Sequence, residues 1–246
     1  MKAVIIAGGL GTRLGLETIP KPMYKINGRP VLEHNILLLK NHGIKDICIA
    51  LHYMPEIIKS FFCDGKTWGV NITYLIEEKP LGTAGAIKNA EVFLGEEPFF
   101  VIYGDNFTNI NLSEMLKSHL SSKPIVTIGI FNPEKSINSR IAGGFVITDK
   151  ENNIVSFVEG EKIHSSDYEA FVNAGIYVME HEVLKMIPTN KPDEKSDFGK
   201  DIFPKLIEEG YLLKGYLTDG FVIAIDTKDA LAYAEEIIQT GEIIKW

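Results

Sequence analysis

Cysteine, excess positive charge and long apolar runs are all scarce in this chain, and each scarcity removes a class of function. Only two cysteines occur among 246 residues. Cys48 lies in an apolar stretch and Cys63 follows Phe61-Phe62, with no Cys or His nearby at metal-ligand spacing. Both therefore read as reduced packing residues, not as a disulfide framework or a zinc site. Lysine and arginine number 25 against 33 aspartates and glutamates, a formal net charge of −8. Nucleic-acid binding needs a basic stripe to neutralise backbone phosphates, so no nucleic-acid partner is expected and positive charge should be local. No apolar run approaches a bilayer span, and Met1-Lys2 leads directly into a strand pattern in place of a signal peptide. These features point to a cytoplasmic protein without a membrane partner.

The 45% hydrophobic and 24% charged content suits one large core, expected as a single domain over 1–246. An apolar strand, Ala3-Val4-Ile5-Ile6-Ala7, empties into Gly8-Gly9-Leu10-Gly11-Thr12-Arg13, and Pro20-Lys21-Pro22 follows. A buried strand ending in a small, basic loop brings backbone N–H groups and fixed cations to a phosphate. The dinucleotide fingerprint would need a third glycine where Leu14 stands, and the P-loop pattern is absent. A tight turn with an incidental arginine would explain the glycines alone, but not Arg13 and Lys21 together. Apolar positions at helical spacing predict a helix over 30–40, with Gly43 as its C-terminal cap. Strands over 46–51, 71–76 and 99–103 alternate with helices over 55–62 and from 82 onward. The fold class expected is α/β: a Rossmann-like, mainly parallel sheet flanked by helices. From residue 125 the pattern turns to short strands over 125–131, 143–148 and 154–158, which predicts a smaller antiparallel portion beside that sheet.

Gly-Gly-Leu-Gly-Thr-Arg-Leu followed by Pro-Lys-Pro closely resembles the signature of the sugar-1-phosphate nucleotidyltransferases. The resemblance covers essentially the whole chain, dividing it into a nucleotide-binding half (1–124) and a sugar-binding half with a C-terminal helix (125–246). It implies NTP and sugar 1-phosphate as substrates and Mg²⁺ as cofactor, and it is compatible with a homodimer. Ala7, Gly8, Gly9, Leu10, Gly11 and Thr12 would surround the nucleotide, and Arg13 and Lys21 would be catalytic. Pro80, Gly82 and Thr83 match the base-recognition segment, in which Glu77 holds the acceptor position; solvated strand-end charges are the alternative for Glu77 and Glu78. A carboxylate can accept the adjacent N1–H and N2–H donors of guanine, which favours GTP. The segment between Leu14 and Pro20 is shorter than usual in the family.

Asp105, after Gly104 at the end of a central strand, matches the family's metal-binding aspartate. Gly144, Glu159 and Asn173 match its sugar site. The usual Glu-Lys-Pro is replaced by Glu159-Gly160-Glu161-Lys162, leaving Lys162 as either a shifted sugar-phosphate ligand or a solvated loop lysine. The second metal aspartate common in relatives falls on Ala224, whereas Asp226 lies two residues on, on the same face of an extended segment. Asp226 is the expected second ligand, with an N-cap of the helix over 228–238 as the alternative. The segment 196–207 reads as structural packing below the sugar site. The set as a whole looks most like guanylyltransferases acting on mannose or manno-heptose 1-phosphate. Thymidylyl-, uridylyl- and cytidylyltransferases remain alternatives, as does a non-catalytic NDP-sugar-binding subunit.

Overall fold

The structure, a computed structural model, describes residues 1–9, 19–138, 144–160, 170–188 and 195–240. Strand β1 (Lys2–Ile6) is followed by a 3₁₀ turn (Lys21–Met23), the hairpin strands β2 (Lys25–Ile26) and β3 (Arg29–Pro30), and helix α1 (Val31–Asn41). Next come β4 (Asp46–Leu51), α2 (Pro55–Phe62), β5 (Asn71–Ile76), α3 (Gly82–Asn89), α4 (Glu91–Leu94) and β6 (Phe99–Tyr103). These four larger strands are parallel in the order β6-β1-β4-β5. The chain thus builds outward from β1 through β4 to β5, then crosses back to lay β6 on the other side of β1. That reversal is a topological switch point, where loops leaving neighbouring strand ends part and open a crevice.

The remaining elements are β7 (Asn106–Thr108), α5 (Leu112–Ser122), β8 (Val126–Phe131), β9 (Phe145–Thr148), β10 (Ile154–Val158), β11 (Ala170–Met179) and α6 (Val183–Met186). A π-helical turn (Phe198–Ile202) runs into α7 (Phe203–Glu208), followed by β12 (Leu213–Leu217), β13 (Val222–Ala224) and α8 (Lys228–Gln239). The antiparallel portion is not a separate layer, because β11 extends the parallel sheet. Its Ile176–Met179 stretch pairs with β6, and it also pairs with β8 and β9. β12 joins the far side of β8 in parallel. The sheet therefore continues without interruption from β5 across to β10 and β12.

Alternation along β1 shows why helices cover both faces. Ala3 and Ile5 pack with Leu32 and Ile36 of α1, while Val4 packs with Ala84 and Ile87 of α3, all of them fully buried. A third cluster holds Ile26 and Val31 of the hairpin region against Phe107, Ile223 and Ala234. It docks the β2–β3 hairpin and α8 against the small β7–β13 sheet. The hairpin turns at Asn27 and Gly28, both in the left-handed region at φ 50° and 77°. An Asn-Gly pair in this conformation is the usual signal for a two-residue hairpin, and it is the cue from which β2–β3 could have been read. Cys48 is buried, and burial pushes its thiol up to about 12. Cys63 departs from the packing role expected for it: it ends α2 at φ 46° and stands exposed.

The start of α8 decides between two roles for Asp226. Thr227 is the N-cap, its hydroxyl accepting from the Ala230 amide at 3.1 Å, so the helix is capped by its own neighbour. Thr227→Ala is expected to lower unfolding stability by about 1 kcal/mol, measured by chemical denaturation, as loss of a helix N-cap does.

Candidate active site

At the switch point, Ala7 continues β1 by donating its amide to the Ala50 carbonyl at 2.8 Å, and the Gly104 amide bonds to the Ile6 carbonyl at 2.8 Å. Gly104 lies so close to this strand end that a Cβ would stand 3.0 Å from the Ile6 oxygen. Asp105 follows at the C-terminal edge of β6. Asp226 reaches the same place from the other end of the chain. The β13–β7 pairing sets Ala224 opposite Asn106, and the Ile225 amide donates to the Asp105 carbonyl at 2.8 Å. Lys21 enters from the turn before the hairpin.

Its ammonium donates to Asp105 Oδ2 at 2.7 Å and to Asp226 Oδ1. The three side chains are 13%, 25% and 18% exposed, so water screens this triad far less than a surface ion pair. Burial by itself would lower the Lys21 pKa, but the two carboxylates outweigh it and hold the ammonium above its ordinary value. Lys21 is thus a fixed cation.

Asp105 and Asp226 both reach one positive centre: two carboxylates remote in sequence but at neighbouring strand ends converge on a single ammonium. Among the described residues no third His, Cys, Asp or Glu joins them. Two carboxylates with the rest of the shell left to phosphate and water oxygens is a donor set that suits Mg²⁺. The residues present fit the ion.

Beside the triad lies a cavity of about 340 Å³. Of the residues expected at the site, it is lined by Thr83, Asp105, Gly144, Glu159, Asn173 and Asp226. Glu159 is held above the ordinary carboxyl range because partial removal from water disfavours its charge; Lys200 pulls it down and Asp197 adds to the rise. The absent side chain at Gly144 seats its neighbours, since a Cβ there would lie 2.5 Å from the Phe157 ring and 2.8 Å from Glu159 Oε2. Asn173 is braced from within its own strand, Nδ2 donating to the Tyr177 hydroxyl at 2.9 Å and Oδ1 accepting from the Gly175 amide at 2.9 Å.

Other expected residues stand outside this lining. Gly8 approaches the His52 backbone closely, and Gly9 faces open space. Glu77 and Pro80 belong to the loop from β5 to α3, and Gly82 is the first residue of α3. Glu77 is buried, its amide bonded to the Leu51 carbonyl and its Oε2 accepting from the Leu81 amide at 3.1 Å. Burial raises its carboxyl pKa, against smaller opposing effects of the Leu81 amide and His52. The solvated strand-end alternative therefore fails for Glu77. Leu10, Gly11, Thr12, Arg13 and Lys162 lie outside the described residues.

The sequence reading missed Asp197, Gly199 and Lys200, which also line the cavity. Their segment is more than packing. Phe198 and Phe203 stack at 5.2 Å and 16° below, anchoring the turn, while Asp197, Gly199 and Lys200 line the cavity. Charged residues interleaved with buried aromatics were the available signal. Among the described lining residues, four carboxylates (Asp105, Glu159, Asp197, Asp226) stand against Lys200. An anionic substrate entering here needs added positive charge, which Lys21 and a divalent ion can provide.

Over most of its length the chain is similar to known proteins. The family described as Nucleotidyl transferase matches residues 2–242. The D-glycero-α-D-manno-heptose 1-phosphate guanylyltransferase of Campylobacter jejuni is 34% identical over 221 residues, covering 89% of this chain and 94% of that protein. The UTP–glucose-1-phosphate uridylyltransferase of Synechocystis is 35% identical over 224 residues, covering 85% of this chain; the match spans 56% of that protein's length. The solved structure of HddC from Yersinia pseudotuberculosis complexed with GMP-PN superposes with a TM-score of 0.78 at 27% identity, covering 96% of this chain and 99% of that one.

The raised Glu77 pKa has a measurable consequence. The fold prefers the neutral carboxyl, so wild-type stability falls as pH climbs from the ordinary glutamate range through the raised folded value, and the loss is complete above it. Glu77→Gln carries no such charge. Denaturation curves are expected to show it gaining on wild type as pH rises towards neutral, with the gap closing on acidification; a gap independent of pH would contradict the assignment.

Proposed function

The chain belongs to the nucleotidyl transferase family, and we propose on that footing that it transfers a nucleotidyl group from an NTP to a sugar 1-phosphate, releasing pyrophosphate and forming an NDP-sugar. GTP is the proposed nucleotide and a mannose- or manno-heptose-type 1-phosphate the proposed acceptor. The observation that carries the reading is the convergence of Lys21, Asp105 and Asp226 at the switch-point edge of a parallel sheet, beside an acid-rich cavity.

In this reaction an oxygen of the sugar phosphate attacks the α-phosphorus in line, and the bond to the bridging oxygen of pyrophosphate breaks. The nucleophile is already ionised at neutral pH, so no general base is required and the protein's work is positioning and charge neutralisation. An ammonium has three N–H donors. Lys21 uses two on Asp105 and Asp226, which leaves one to direct at a phosphate oxygen. Mg²⁺ held by Asp105 and Asp226 would supply Lewis-acid neutralisation of phosphate oxygens when bound. Glu159 and Asn173 present a carboxylate and an amide to sugar hydroxyls. Arg13 and the backbone of Gly8 to Thr12 are assigned to the triphosphate on the strength of the motif alone.

The choice of GTP rests on Glu77. A carboxylate accepts two parallel hydrogen bonds from guanine, whereas the amide oxygen of glutamine accepts only part of that pattern and its NH₂ opposes the rest. Glu77→Gln is expected to lower kcat/KM for GTP relative to UTP by about tenfold or more, in the range a lost hydrogen-bonded specificity contact gives. An unchanged GTP/UTP ratio would remove Glu77 from base recognition.

The reaction itself is tested by pyrophosphate release across a matrix of nucleoside triphosphates and sugar 1-phosphates, with Mg²⁺ and with EDTA. Turnover is expected with GTP and a mannose-type acceptor, and loss of it with EDTA; silence throughout, with NDP-sugar still bound, would favour a non-catalytic sensor. Lys21→Ala should lower the single-turnover rate by on the order of a hundredfold in a folded protein, as removal of one preorganised charge contact does.

A further inference from the structure

Helix α3 begins without a cap of its own. Its N-cap position, Leu81, provides no side-chain hydrogen bond, so the first amides of the helix need partners from elsewhere. They find them far along the chain. The Thr83 amide donates to Asp197 Oδ1 at 3.1 Å, and the amides of Ala84 and Gly85 donate to the Ser196 carbonyl at 2.8 and 3.1 Å. The bond is returned, because the Ser196 amide donates to the Leu81 carbonyl at 2.9 Å. The Thr83 hydroxyl donates to Asp197 Oδ1 at 3.2 Å and accepts from the Phe198 amide at 2.9 Å. Gly82 makes the approach feasible: it sits at φ 80°, and a Cβ there would lie 2.5 Å from the Ser196 carbonyl oxygen.

Both segments touch the cavity, one through Thr83 and the other through Asp197, but each also reaches beyond that shared point. On one side, Leu81 is the residue whose amide holds Glu77 Oε2. On the other, Gly199 and Lys200 follow Asp197 after the buried Phe198 and line the cavity beside Glu159. A shift of either segment must stretch bonds to the other.

We infer that Asp197 is a positioning residue that couples the two substrate subsites, fixing the base-side loop to the sugar-side turn through Thr83. The inference rests on the proposed reading of Glu77 as the base side and of the cavity as the sugar side. Binding on either side orders the shared junction, so the second substrate meets a site already set. By linkage the effect is reciprocal: each substrate tightens the other by the same factor. Asp197 acts here through Thr83 and not on a reacting atom.

The test is calorimetry on the full chain with Mg²⁺, using α,β-methylene GTP as the inert nucleotide and mannose 1-phosphate or manno-heptose 1-phosphate, whichever gives turnover with GTP. The quantity read is the ratio of sugar-phosphate Kd without and with the nucleotide analogue. Wild type is expected to give a ratio of about tenfold, within the usual range of such couplings. Asp197→Ala and Thr83→Val should bring it to near one. Asp197→Asn keeps the accepting Oδ1 and Thr83→Ser keeps the hydroxyl, so both should retain most of the ratio while also showing that the segments still fold. A wild-type ratio of one overturns the inference, as does a full ratio in Thr83→Val. Weaker sugar-phosphate binding in Asp197→Ala with the ratio intact overturns it too, and makes Asp197 a direct substrate contact. Turnover by wild type with any of these results leaves the proposed reaction standing; no turnover with any pair removes the reaction and the inference together.

Discussion

One ammonium group ties the switch-point edge of the sheet together. Lys21 lies 84 residues from Asp105 and 205 from Asp226 in sequence, and its side chain is where all three meet. Two carboxylates sharing one partner would repel each other without a cation between them, and Lys21 supplies that charge beside the β7–β13 pair.

The surrounding fold explains why that place exists. The reversal of strand order beside β1 leaves the ends of β1 and β6 without a crossing loop, and the antiparallel strand β11 then prolongs the sheet instead of covering the crevice. The far wall of the cavity is consequently made by the second half of the chain. Glu159, Asn173 and the Asp197–Lys200 turn all come from there, each braced by a glycine contact, an intrastrand hydrogen bond or a stacked aromatic pair. Rigid support behind polar groups is what a site needs when positioning does most of the catalysis.

Much of the framework was legible from local pattern. β4, α2, β5 and β6 fall where apolar runs and their flanking Gly, Pro and Asp residues placed them; the central strands β4 and β6 are buried and write themselves as continuous apolar stretches. The β2–β3 hairpin escaped because two-residue strands carry no periodicity. The site divides in the same way. The strand-end position of Asp105 follows from its own neighbours, but the ion pair of Asp226 with Lys21 is a long-range event; the resemblance put both residues in one site without pairing them. Asp197 had no such guide. Its partner Thr83 is 114 residues away, and nothing in the local sequence of either residue encodes the other.

The placement of β11 has a bearing on how the chain is made. Until Ile176–Met179 has left the ribosome, β6 is the outer strand of the growing parallel sheet, and Phe99-Phe100-Val101-Ile102-Tyr103 presents an unpaired, strongly apolar edge. Such edges recruit other strands. The interval between synthesis of β6 and arrival of β11 is therefore the period in which a nascent chain of this protein is most exposed to mispairing.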